Sequence, residues 1–193
     1  MSENERVARA AEPLSKILRT ITSDRLADPT PCADFDVRAL LNHLLHWGPS
    51  LIGAARKGEI APGPEVDLTT GDWAAALDTQ LTDLAAAWGR PDAWQGVTRM
   101  GGPMELPAPL VGGMVVGELI VHGWDLARAV GTTVHWDDDL LRETYNDTAA
   151  TAEQGRELGI YGPEIPIDTG APLLDRILGL TGRNPAWTCS SAL

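Results

Sequence analysis

An all-α fold is expected for this chain, a bundle of four long helices, and two observations carry the expectation. Apolar residues recur three and four apart through nearly the whole sequence, which is the period of an α-helix and not of a strand. Residues suited to helix caps and stops bracket each periodic stretch. Residues around 90–108 do not look helical. With 193 residues, the chain is expected to form a single domain over 1–193 with a substantial core.

The elements follow in order. Val7, Ala11, Leu14, Leu18 and Ile21 make a core stripe on a first helix over about 3–22. Asp24 to Ala33 is a polar connector containing prolines. Asp36 is a good N-cap for a second helix over 37–56. Residues 58–70 are rich in Gly and Pro and read as a loop. Asp72 caps a third helix over 72–88, with Trp73, Leu77, Leu84 and Trp88 on its buried stripe. Gly101-Gly102, between Gln95–Met100 and Met104–Leu106, suggests a short irregular hairpin. A fourth helix over 109–130 opens with Pro109, tolerated in a first turn, and stops at Gly131. Asp137, Asp138 and Asp139 open a fifth, where their charge suits the N-terminal dipole; it ends near Gly159. A short helix over 171–181 precedes Gly182 and Pro185, and residues 186–193 are expected to form a mobile tail. The helices at 3–22, 37–56, 109–130 and 138–158 are the four long ones, with 72–88 added to them.

Composition narrows the function. The formal net charge is -12, and an acidic chain whose basic residues form no run repels phosphate backbones, so no nucleic-acid role is expected. The two cysteines, Cys32 and Cys189, have no disulfide or CxxC spacing, which fits a reducing cytoplasm. The N-terminus MSENERVARA has no apolar run of signal-peptide length. The most apolar stretch, Pro107 to Val121, is interrupted by glycines and Glu118, so no membrane span is expected.

Helical phase then singles out a small set of ionisable residues. On the second helix, Val37, Leu40, Leu41, Leu44, Gly48 and Leu51 share a face; His43 lies at its edge, about 110° from the centre, and His46 nearly opposite. On the fourth, Val111, Val115, Glu118, His122, Asp125 and Ala129 fall along one stripe, apolar at its ends and ionisable in the middle. A buried carboxylate costs several kcal/mol unless it is paired or binds a cation. Glu118 and His122, one turn apart, can converge on one point. Either a hydrogen-bonded Glu–His pair or a metal site satisfies that geometry. With His43 from a facing helix the set becomes two histidines and a glutamate, a donor set that leaves zinc an open position as catalytic sites do. Asp125 is a candidate to hold a ligand by hydrogen bonding, to act on an incoming group, or to pair with an arginine such as Arg128. His46 is a further candidate base. Cys32 lies just before the second helix and reads as a small buried residue that could approach the site. Trp47, Trp73, Trp88 and Trp124 pack the core or line a pocket. His135 reads as a surface residue.

The segments PTPCADFDVRALLNHLLHW (29–47) and GELIVHGWDLARAVG (117–131) resemble the DinB-like superfamily, and more narrowly the metal-binding domain of the mycothiol-dependent maleylpyruvate isomerase family. The likeness extends loosely over the chain to its ending LDRILGLTGRNPAW. The resemblance implies a DinB-like four-helix bundle with a divalent metal at one end, usually zinc, held by His43, Glu118 and His122. Phe35 stands where short relatives commonly have Trp. The isomerase has an additional C-terminal domain for which this chain is expected to be too short.

The expected function is therefore a divalent-metal enzyme that activates a low-molecular-weight thiol, mycothiol or a similar one, for transfer to or isomerisation of an electrophilic substrate. The metal is expected to be zinc, with nickel, iron or manganese compatible with the same donors. A non-catalytic metal- or small-molecule-binding bundle, and a hydrolase using metal-bound water, are the alternatives. Self-association is left open.

Overall fold

In the computed structural model residues 1–189 are described, and the helical stretches form where the apolar period places them. The α-helices are α1 (Arg6–Leu18), α2 (Val37–Ala55), α3 (Trp73–Trp88), α4 (Ala108–Ala129), α5 (Asp138–Glu157) and α6 (Leu173–Leu180). Strands β1 (Val97–Arg99) and β2 (Glu105–Pro107) make the short antiparallel hairpin, with Thr98 opposite Leu106.

Local chemistry sets the boundaries. The Asp36 and Asp72 carboxylates accept from the backbone N–H of Ala39 and Ala75, capping α2 and α3. The stretch expected at 3–22 is shorter as an α-helix. Its first residues form a 3-10 turn, and Thr20 turns its N–H and hydroxyl onto the Ile17 carbonyl just past Leu18. Three helices end in the same motif. After α4, α5 and α6 a glycine at positive φ (Gly131, Gly159, Gly182) reverses the chain, and the N–H of the next residue returns to a carbonyl five residues back. The positive φ is cheap only for glycine.

The bundle departs from expectation in its membership. α1 packs on α3 and α4, and α2 packs on the same two, which closes a ring of α1, α3, α2 and α4. α5 lies outside this ring, against α4 and α6. The reason lies in the buried faces: α3 commits Trp73, Leu77, Leu81, Leu84 and Trp88 to the core, whereas the buried face of α5 mixes Leu140 and Leu141 with Thr144 and Thr148.

α4 is the central element. It is long and apolar enough to cross a membrane by length and composition, but 78% of the relevant window is buried inside the protein, so it is a core helix. Its N-terminus follows the hairpin, which is tied to the C-terminal end of α2 by Thr98 donating to the Ala54 carbonyl (2.6 Å). Its C-terminus is tied to the connector preceding α2 by Arg25 donating to the Ala129 carbonyl (3.0 Å). α2 and α4 therefore run antiparallel. Beyond α6, Arg128 donates to the Trp187 carbonyl, so the described part of the expected tail is held against α4; residues 190–193 lie outside the described part.

Candidate metal centre

His43 projects from α2 toward Glu118 and His122 on α4. His43 Nε2 lies 2.5 Å from Glu118 Oε1, and His122 Nε2 lies 3.4 Å from the same oxygen. The imidazole centroids are 5.2 Å apart. One donor atom from each of the three residues lies within 4.8 Å of the others. Burial alone would push the Glu118 carboxyl up, but the His122 and His43 imidazoles, with help from Arg183, hold it at about 2. Glu118 is thus an acceptor, and His43 Nε2 is the donor in their contact.

Behind this trio stands a buried polar chain. Asp125 is fully buried and its Oδ2 takes His122 Nδ1 at 2.9 Å and Arg183 Nη2 at 3.3 Å. The pair with Arg183 makes Asp125 the acceptor, so His122 donates from Nδ1 and turns Nε2 toward Glu118. Asp125 is not on the wall of the cavity and acts on a ligand through the residues it holds, His122 and Arg183. Its arginine is Arg183, not Arg128, which stacks on Trp124 instead. Arg183 also donates to Cys32 Sγ at 3.3 Å. Burial pushes the Cys32 thiol up, and the guanidinium only partly offsets it. Among the described residues, Asp125 Oδ1 and Arg183 Nε are buried without a hydrogen-bond partner.

These donors suit a divalent ion. A neutral imidazole, a carboxylate and a second imidazole oriented by a carboxylate behind it are the ligand types zinc takes. Tetrahedral coordination separates donors by roughly 3.4 Å; His122 and Glu118 stand at that distance, while His43 and Glu118, hydrogen-bonded at 2.5 Å, would move apart to admit an ion.

The trio opens on a cavity of about 510 Å³. Phe35 packs on both imidazoles, its ring centroid 5.2 Å from His43 and 6.4 Å from His122. The Thr30 hydroxyl accepts from the Cys32 N–H and donates to the Phe35 carbonyl, which folds residues 30–35 into the loop that presents both side chains. Tyr161 also lines the cavity; burial and the Glu118 charge keep its phenol protonated.

Of the residues singled out by sequence, His43, Glu118, His122 and Asp125 come together. His46 packs beside Trp47 and is not on the cavity wall. Trp47 lines the cavity, while Trp73, Trp88 and Trp124 are buried in the core. His135 is exposed. Cys32 is both buried and on the wall, and both cysteines are free. Sequence reasoning missed Arg183 and Tyr161. Arg183 directly follows the helix-stopping Gly182, and Tyr161 lies two residues past Gly159, each glycine turning the chain back.

The family model described as "Mycothiol maleylpyruvate isomerase N-terminal domain" matches residues 7–127, a span that contains His43, Glu118, His122 and Asp125. The chain belongs to that family. Two curated relatives, uncharacterised proteins from two strains of Mycobacterium tuberculosis, are each 25% identical over 177 residues, covering 91% of this chain and 94% of theirs. Among solved structures, a mycothiol-dependent maleylpyruvate isomerase shares the fold with a TM-score of 0.66 at 15% identity, over 95% of this chain and 90% of that one. A histidine-to-alanine mutant of a mycothiol-dependent maleylpyruvate isomerase matches at 0.59 and 17% identity, over 80% and 73%.

Proposed function

We propose that this protein is one metal-binding helical-bundle domain whose His43, Glu118 and His122 hold a divalent ion, zinc before nickel, iron or manganese. It acts as an enzyme on a low-molecular-weight thiol such as mycothiol, for transfer to or isomerisation of an electrophilic substrate. The observation that carries this reading is the convergence of the three donor atoms from two facing helices, in a chain whose family is named for a mycothiol isomerase.

When bound, the ion would supply positive charge that favours the thiolate form of a thiol at neutral pH. The chain's own residues do the rest. Asp125 holds the Nδ1 proton of His122 and fixes the direction of Nε2. Arg183 balances the Asp125 charge. Phe35 shields one side of both imidazoles from water. The protonated Tyr161 offers an O–H to charge developing on a ligand in the cavity. Free Cys32 and Cys189 and a thiol substrate both fit a cytoplasmic location.

Elemental analysis of the purified protein tests the metal: about one ion per chain, lost in His43→Ala and His122→Ala, is the expected result. Conjugation of mycothiol to an electrophile, followed with the loaded protein and with both variants, tests the chemistry. Metal retained at wild-type level in both variants sinks the assignment of the ligands. Metal bound with no thiol turnover leaves a binding protein, not an enzyme.

A further inference from the structure

The cavity has two unlike directions, and the helix geometry separates them. On α2, Trp47 and Leu51 follow His43 at one and two turns, each turn about 5.4 Å. On α4, Met114 precedes Glu118 by one turn. Because α2 and α4 are antiparallel, these steps lead the same way, toward the hairpin. Asp125, Arg183 and Cys32 lie on the other side of the trio. Met100, at the start of the hairpin loop, and Ile160, just past Gly159, also line the cavity. The backbone of the hairpin loop sits directly on Trp47: a Cβ added at Gly101 would lie 3.1 Å from its ring. Gly117 leaves open space on α4 next to Glu118.

The charges of the cavity wall are Asp34, Glu118 and Arg183 with the imidazoles, and Arg183 is taken by Asp125. The shaft toward the hairpin is thus apolar: no Lys lines the cavity among the described residues, and Arg183 lies on the Asp125 side of the trio. A dianionic substrate would have to shed its hydration there without a counter-charge, which is costly. A neutral apolar body gains from the same wall. A volume of about 510 Å³ is in the range of pockets that hold one small organic molecule.

The geometry points to the shaft of Trp47, Leu51, Met100, Met114 and Ile160 as the binding site for a neutral apolar electrophile, such as an activated arene, with the reacting end directed at the trio. The electrophile's role rests on the thiol-transfer reading; the binding itself does not.

Calorimetric titration with 1,3-dinitrobenzene, an unreactive neutral arene, and with maleate, a small dianion, tests the shaft on zinc-loaded and metal-free protein. Saturable arene binding in both forms, with no competition by maleate, is expected. Met114→Lys puts a charge in the shaft and Gly117→Leu fills it; each is expected to weaken the arene at least tenfold with zinc content at the wild-type level. Maleate binding more tightly than the arene to the metal-free protein, or arene affinity unchanged in both variants, overturns the inference. Arene binding by a protein that retains no zinc supports the shaft and sinks the metal reading instead.

Discussion

Asp125 carries two donors on one carboxylate oxygen, His122 and Arg183, and has no exposed surface. An Asp125→Asn variant keeps the shape but removes the charge. It leaves Arg183 buried without its partner, at a cost of roughly 3–5 kcal/mol, and loosens the orientation of His122. Metal affinity, read by chelator competition, should fall about 10–100-fold, with a drop in urea stability beside it. Unchanged affinity would make Asp125 purely structural. Glu118 gives a pH signature. Its folded-state pKa is depressed from 4.5 to about 2, so its contribution to the metal-free protein is complete above the unfolded value and is lost as pH falls from about 4.5 toward 2. The acid limb of stability against pH should therefore flatten in Glu118→Gln, and an identical limb in both proteins would contradict the pairing. His43, Glu118 and His122 were legible in the sequence because phase on two helices is fixed by 3.6 residues per turn. Arg183 was not, because its path to Asp125 crosses 58 positions of chain and depends on how α6 packs.

At the scale of elements, three glycine stops do more than end helices. Gly182 has φ +82, and an added Cβ would lie 2.8 Å from the backbone of Gly162. The turn therefore holds the α5–α6 connection close and aims Arg183 at the site. Gly182→Ala should cost more than about 1 kcal/mol and weaken metal binding in parallel. A stability loss with metal affinity intact would separate the turn from the site. Such stops, and the caps at Asp36 and Asp72, can be read from sequence because each is a local backbone requirement. The exchange of α3 for α5 in the bundle ring could not be read so directly. Periodicity reveals that a helix has a buried face but not which neighbour that face meets.

The whole molecule couples the site to stability through α2 and α4, since His43 and Glu118 meet across 75 positions of sequence. An ion bound to all three donors ties the two central helices of the ring together and binds the folded state only. At free ion a thousandfold above Kd this adds about 4 kcal/mol. For a chain of this length each kcal/mol moves Tm by roughly 2–4 °C, so zinc should raise Tm by roughly 8–16 °C and EDTA should reverse it. His122→Ala should abolish the shift. Leu18→Ala, at a fully buried site on α1, supplies the contrast: it should lower stability by about 2–5 kcal/mol in both forms and leave the zinc shift unchanged, because distant sites add. Differential scanning calorimetry of the three proteins with and without zinc checks this. A shift that survives in His122→Ala places the ion elsewhere, and a shift absent from the wild type removes the metal from the fold's energetics.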